Sequence, residues 1–311
     1  MTTDDPQPAS RGLLQVHATE LAMTVVATRA RRLGVRALVI KGAVADHHRL
    51  RPERVSADVD VLVEPLEAGE FVHSLEGAGW SGRPETSIAT EASAHSVTMV
   101  HPHWPCDIDV HHEFPGMLAG PHDAFDALWD ERSGMSAAGI DVDVAGPLGS
   151  ILISALHSLR HDTTVARYAA ELVSTSIAVR ELAPRDRDAL GALAVATGAA
   201  GPLREWLRAE GIDVAVASTP SLVDWETRRH SGDTFAGQFV ATFARAPWRE
   251  RPRLLVEGIW PDAAEMRATH PEIGPHRRDL LRARLSRVGR GLRDAPRALR
   301  SLATARSRSR R

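Results

Sequence analysis

The stretch SADVDVLVEP, residues 56–65, decides how this chain is read. Asp58 and Asp60 sit among Val59, Val61, Leu62 and Val63, residue types that fill buried strands. Alternate side chains on a strand share a face, so the two carboxylates point the same way, roughly 6.5–7 Å apart. Like charges held that close repel, and burial penalises each of them further. Such a strand either wets its carboxylates on a solvated face or uses them to hold something positive.

The spacing returns in PCDIDVHHEF, residues 105–114, where Asp107 and Asp109 share one strand face with His111. Carboxylates gathered at strand ends are what hard cations require: Mg²⁺ takes oxygen ligands at roughly 2.0–2.1 Å, usually one or two carboxylates plus substrate phosphates. A third instance, Asp141 and Asp143 in GIDVDVAG (139–146), lies between turn-forming residues and reads as a solvated pair on an exposed edge strand.

Outward from these strands the pattern is α/β and then helical. Apolar residues recur at helical spacing from 13 to 33, and Gly34 stops the helix. ALVIKG (37–42) reads as a short buried strand, and a helix is expected from Ala43. Pro65 opens another helix that Gly79 closes. SVTMVH (96–101) and residues 105–114 form a hairpin of alternating strands, and a short helix is expected around 122–129. From Pro147 the spacing is helical almost throughout. The expected organisation is a small mixed-sheet α/β domain over 1–146, an all-helical domain over 147–275, and a basic tail over 276–311.

Composition narrows the setting. The 311 residues are 43% hydrophobic and 25% charged, ordinary for a globular chain. No apolar run approaches the roughly 20 residues of a membrane span, the opening MTTDDPQPAS is acidic and polar, and Cys106 is the single cysteine. A cytoplasmic, soluble protein without disulfides or thiolate metal clusters is expected. Of 38 basic residues one is lysine, Lys41. Residues 277–311 hold 13 arginines against Asp279 and Asp294, a net of +11, so with −2 on the whole chain residues 1–276 carry −13.

The residues ahead of the first pair, KGAVADHHRLRPERVSADVDVLV, carry a resemblance. Lys41-Gly42, an intervening helix, and Arg54-x3-Asp58-x-Asp60 followed by aliphatic residues resemble the polymerase-β-like nucleotidyltransferase superfamily. Within it, the chain is most similar to the bacterial branch of uncharacterised nucleotidyltransferases. That branch has Lys-Gly where better-known members have Gly-Ser, and Asp-aliphatic-His on a later strand, here Asp109-Val110-His111. ILISALHSLRHD (151–162) matches a following helix of the branch. The likeness spans roughly residues 11–165 and extends loosely to 260–272.

The resemblance implies that Asp58, Asp60 and Asp109 hold catalytic Mg²⁺ (or Mn²⁺), with Asp109 helping to deprotonate the attacking hydroxyl. It places Lys41 and the Gly42 backbone at the triphosphate of an NTP, and Arg54 on the phosphates or the Asp58 loop. The implied reaction moves a nucleoside monophosphate from an NTP to a hydroxyl of a protein, RNA or small-molecule acceptor. Two alternatives stand beside it: a nucleotide- or metal-binding protein of the same fold with little turnover, and an adaptor acting through its tail.

Other motifs carry less. None of the 15 histidines has a zinc spacing, His161-Asp162 alone does not make a phosphohydrolase, and His157 on its apolar helix reads as a core histidine. The seven tryptophans show no stacking period and read as core. In the tail, Leu281, Leu285, Val288 and Leu292 form a narrow helical stripe ringed by arginine, with Pro296 expected to interrupt it. Such a stripe docks on the acidic body of its own chain or meets an anionic partner, RNA or a membrane surface, which would make the protein peripherally membrane-associated.

Overall fold

Ala37–Ile40 (ALVI) has no polar side chain at all, a composition that suits the middle of a sheet covered on both faces. It lies there. The computed structural model describes residues 8–83, 95–161, 163–231, 246–261 and 276–308, with 243, 263, 266, 273 and 274. In chain order its elements are α1 (Pro8–Leu33), β1 (Ala37–Ile40), α2 (Gly42–His47), β2 (Asp58–Val63), α3 (Ala68–Glu76), β3 (Ser81–Gly82), β4 (Ser96–Val100) and β5 (Asp107–His111). There follow α4 (Pro121–Asp130), β6 (Ser133–Ala137), β7 (Ile140–Val144), α5 (Pro147–Arg160), α6 (Ala166–Glu181), α7 (Pro184–Ala196), α8 (Ala200–Ala209), α9 (Pro220–Ser231), α10 (Arg251–Ile259) and α11 (Arg277–Arg308).

The fold is α/β, with one mixed seven-stranded sheet in the order β3-β4-β5-β2-β1-β7-β6. β2 runs antiparallel to β1 and parallel to β5, and β4 and β5 form the expected antiparallel hairpin. Val59, Val61, Val63, Ile108 and Val110 join one apolar core with Val26 of α1 and Phe71 and Leu75 of α3. Strand alternation sends Asp58, Asp60, Asp107, Asp109 and His111 to the opposite face. The valines that made residues 56–65 look like a buried strand therefore anchor one side, and the polar residues are presented on the other.

Two expectations need correction. β7 is no edge strand: SGMSA, too short and polar to stand out in the sequence, pairs with it as β6 and takes the edge. Asp141 is nonetheless exposed and Asp143 half-buried beside Arg132, so the solvated reading of that pair stands. The helix expected to stop at Pro296 continues to Arg308. Proline removes one backbone hydrogen bond, and the arginine, leucine and alanine around it are strong helix formers.

By compactness the described residues divide into 8–83 with 95–217, and those from 218 onward. The second unit begins at Ser218, and the change of sequence pattern at Pro147 lies within the first. Helices α5 to α8 belong with the sheet: α5 packs against α2, α6, α7 and α8. In the second unit α9 and α10 pack on α11. No helix among the described residues is long and apolar enough to cross a membrane.

Candidate functional site

The site starts where β1 ends. Ile40 is the register partner of Asp60 on β2, so the next residue, Lys41, leaves the sheet beside that carboxylate. There the backbone breaks sharply: Lys41 has φ 53° and Gly42 φ 40°, both in the left-handed region that side chains other than glycine's avoid. A Cβ on Gly42 would also meet Ser56 Oγ at 3.1 Å. Strain of this kind persists only where the surroundings impose it. Here it turns Lys41 inward, and Nζ donates to Asp60 Oδ1 at 2.6 Å.

On the other side of β2, parallel pairing with β5 sets Asp58 opposite Asp107 and Asp60 opposite Asp109. The two Asp-x-Asp runs, 49 residues apart in sequence, become one four-carboxylate patch on one sheet face. Each carboxylate has a different environment. Asp60 is buried, which pushes its pKa up, but Lys41 and His111 more than offset this and hold it well below the usual carboxylate range. Asp58 is raised by burial and by the charge of Asp60. Asp109 is pushed up to about 6, chiefly by burial, despite a hydrogen bond with Thr98, and its Oδ1 has no partner. Asp107 is tied to Arg83 at 2.5 Å.

His111 shares the strand face of Asp109 and sets Nε2 2.8 Å from Asp60 Oδ1. Burial, then Lys41, lowers its pKa, so the ring is neutral and Nε2–H is the donor, because a carboxylate can only accept. The His95 ring stacks on it with centroids 5.7 Å apart, and burial together with His111 brings His95 down to about 3.

The loop between α2 and β2 is held by an arginine that the sequence pattern did not single out. Arg51 makes a bidentate pair with Asp46 at 2.6 and 2.7 Å and also donates to Arg54 O and Ser56 Oγ. Arg51→Met should cost about 2–3 kcal/mol of stability by leaving Asp46 and the loop carbonyl unpaired. Urea denaturation beside an Arg49→Met control would check this, and equal midpoints would show that the loop is held by other contacts.

A cleft of ≈ 320 Å³ opens over the carboxylates. Its sheet side is Lys41, Gly42, Asp58, Asp60 and Asp109; its far side is Ser154 and His157 of α5 with Arg167 and Glu171 of α6. Arg54 lines it too, its guanidinium 2.5 Å from buried Glu171 Oε1, with Arg167 at 3.5 Å and His157 at 3.9 Å. His157 is therefore a half-buried cleft residue and not the core histidine its helix suggested. Glu171 was not visible beforehand: ARYAAELVSTSI looks like any helix, and only its burial beside cations marks it. His161 stacks on Tyr168 at 4.3 Å, while Asp162 lies outside the described residues.

Do these residues suit a divalent ion? Asp58 and Asp109 are carboxylates short of positive charge, one with an unpartnered buried oxygen, and two carboxylates with substrate phosphates are what Mg²⁺ commonly uses. Asp60 is turned onto Lys41 and His111, and among the described residues no three His, Cys, Asp or Glu side chains converge on one point. The set fits an ion held by Asp58 and Asp109, with Asp60 as their ion-paired neighbour.

No known protein-family profile matches the chain, and no curated protein does. Solved structures that resemble it include a nucleotidyltransferase-like antigenic protein of Paracoccidioides brasiliensis, 12% identical, covering 65% of this chain and 96% of its own, with a TM-score of 0.41. Another is a tRNA nucleotidyltransferase solved with a primer tRNA and an incoming ATP analog: 14% identity, 92% and 97% coverage, TM-score 0.25. Likeness this distant assigns neither family nor substrate, and the functional reading rests on the residues of the site.

Proposed function

We propose that the protein is a Mg²⁺-dependent nucleotidyltransferase that passes a nucleoside monophosphate from an NTP to a hydroxyl acceptor. One observation carries the reading: the parallel register that sets Asp58 and Asp60 against Asp107 and Asp109, with Lys41 turned into the same cleft by a strained backbone. Bound Mg²⁺ would supply charge neutralisation at the phosphates, held by Asp58 and Asp109. Lys41 has three donors; one is on Asp60, which leaves two for phosphate oxygens. His111 keeps Asp60 ionised and oriented. Asp109, whose Oδ1 has no partner, is placed to accept a proton from the acceptor hydroxyl. Arg54, at the mouth of the Glu171 cluster, reaches the phosphates by exchanging its partner. A small-molecule, RNA or protein acceptor would enter from the side of His157 and Arg167.

A second reading, binding of a nucleotide or metal without turnover, draws on the Lys41–Asp60 ion pair, which withdraws one carboxylate and one cation from a ligand. Four α-labelled NTPs with Mg²⁺ or Mn²⁺, cell lysate as acceptor source, and Asp58→Asn beside the wild type separate the two. Label in a macromolecular or small-molecule fraction with the wild type alone supports transfer. NTP binding without label supports the second reading, and neither label nor binding refutes both.

A further inference from the structure

The arginine-rich helix α11 packs within its unit by an unexpected face. Leu280, Arg284 and Arg287, at i, i+4 and i+7, are the residues turned inward: Leu280 is 7% exposed, and the Arg284 guanidinium lies 4.6 Å over the Trp260 ring. Arg284 also donates to Pro261 O, and Arg287 Nη1 lies 3.8 Å from Met266 Sδ. The leucine stripe is a different face, about 100° around the helix. Leu281 and Leu285 are 46% and 59% exposed, and Arg278 and Arg282 beside them are exposed as well. The sequence left two readings of the stripe open, docked on its own chain or facing an anionic partner. Arg284 and Arg287 turn inward beside Leu280 because arginine stems are apolar and a guanidinium stacks on tryptophan while still reaching a backbone carbonyl.

We propose that the Leu281–Leu285 face of α11 seats on an anionic membrane surface. Two leucines one turn apart, bordered by exposed arginines on a helix from a segment of net +11, suit insertion to the headgroup boundary with guanidiniums on lipid phosphates. The same unit exposes Trp248, at 74%, a residue type favoured at that boundary. RNA would engage the arginines but has no use for two exposed leucines. A second copy of this helix would set strong positive charge against itself.

Co-sedimentation of the full chain tests this, with vesicles of phosphatidylcholine alone and of phosphatidylcholine mixed with phosphatidylglycerol, beside a labelled single-stranded RNA. The wild type is expected to bind only the anionic vesicles. Leu281→Gln/Leu285→Gln, both exposed and so compatible with folding, should weaken that binding by about tenfold or more, and Arg278→Ser/Arg282→Ser by a similar factor. Binding that ignores the leucine pair would overturn the proposal. So would binding to RNA without vesicle binding, or a vesicle-free self-association that the leucine variant abolishes.

Discussion

Asp109→Asn is expected to do two opposite things: cut nucleotidyl transfer by at least about 100-fold and make the fold more stable at neutral pH. The loss follows from removing a proton acceptor and a ligand at once. The gain follows from the position of Asp109, whose carboxyl is pushed up to about 6 by burial and has an unpartnered oxygen. Its folded pKa lies above its unfolded value near 4, so the native state binds the proton more tightly than the unfolded chain. This contribution to stability is therefore most favourable below about pH 4, falls as pH rises toward 6, and stays low above it. Asparagine of the same shape removes that cost, about 1–3 kcal/mol at pH 7. Thermal melts in EDTA at pH 4.5 and 7 would show the variant gaining on the wild type only at the higher pH. Adding Mg²⁺ should then stabilise the wild type and leave the variant nearly unmoved. A variant less stable than wild type at pH 7 would sink this account of the site.

The second large effect is at Lys41. Lys41→Met is expected to destabilise the protein by about 2–4 kcal/mol, because it strips buried Asp60 of its cation and leaves only neutral His111 as a donor. Asp60→Asn in the same background should recover much of that loss, since the unpaired charge disappears with it. A double-mutant cycle by urea denaturation measures the coupling. Strictly additive losses would mean that the 2.6 Å contact contributes nothing in solution. The single variant should also lose NTP affinity that Lys41→Arg does not restore, because a planar fork does not replace a compact ammonium at the end of a strained turn.

Opposite signs at neighbouring carboxylates show where sequence reading stopped. Asp58, Asp60, Asp107 and Asp109 look alike on paper: each is an aspartate in an apolar run on a strand. Their environments differ because of β-pairing and side-chain contacts over long distances: Lys41 and His111 on Asp60, Arg83 on Asp107, and burial without a full set of partners on Asp109. Arg51, not Arg54, holds the loop before β2, though both sit in the same short run. Choosing between them needs the position of Asp46 one helix earlier.

Glu171 and His157 lay further out of reach. Both come from helices whose sequence pattern is only amphipathic, and they meet the carboxylates because α5 and α6 line the same cleft. By itself the sequence determined the α/β class, the strands that carry the aspartates and the faces those aspartates share, because strand alternation is a local property with period two. It also determined that charge is concentrated in one segment, since charge is additive along a chain. Only the tertiary structure decided which carboxylates meet, which of them keeps a cation, and which face of α11 stays in solvent. Those depend on register between distant strands and on burial, and neither is fixed by any local run of residues.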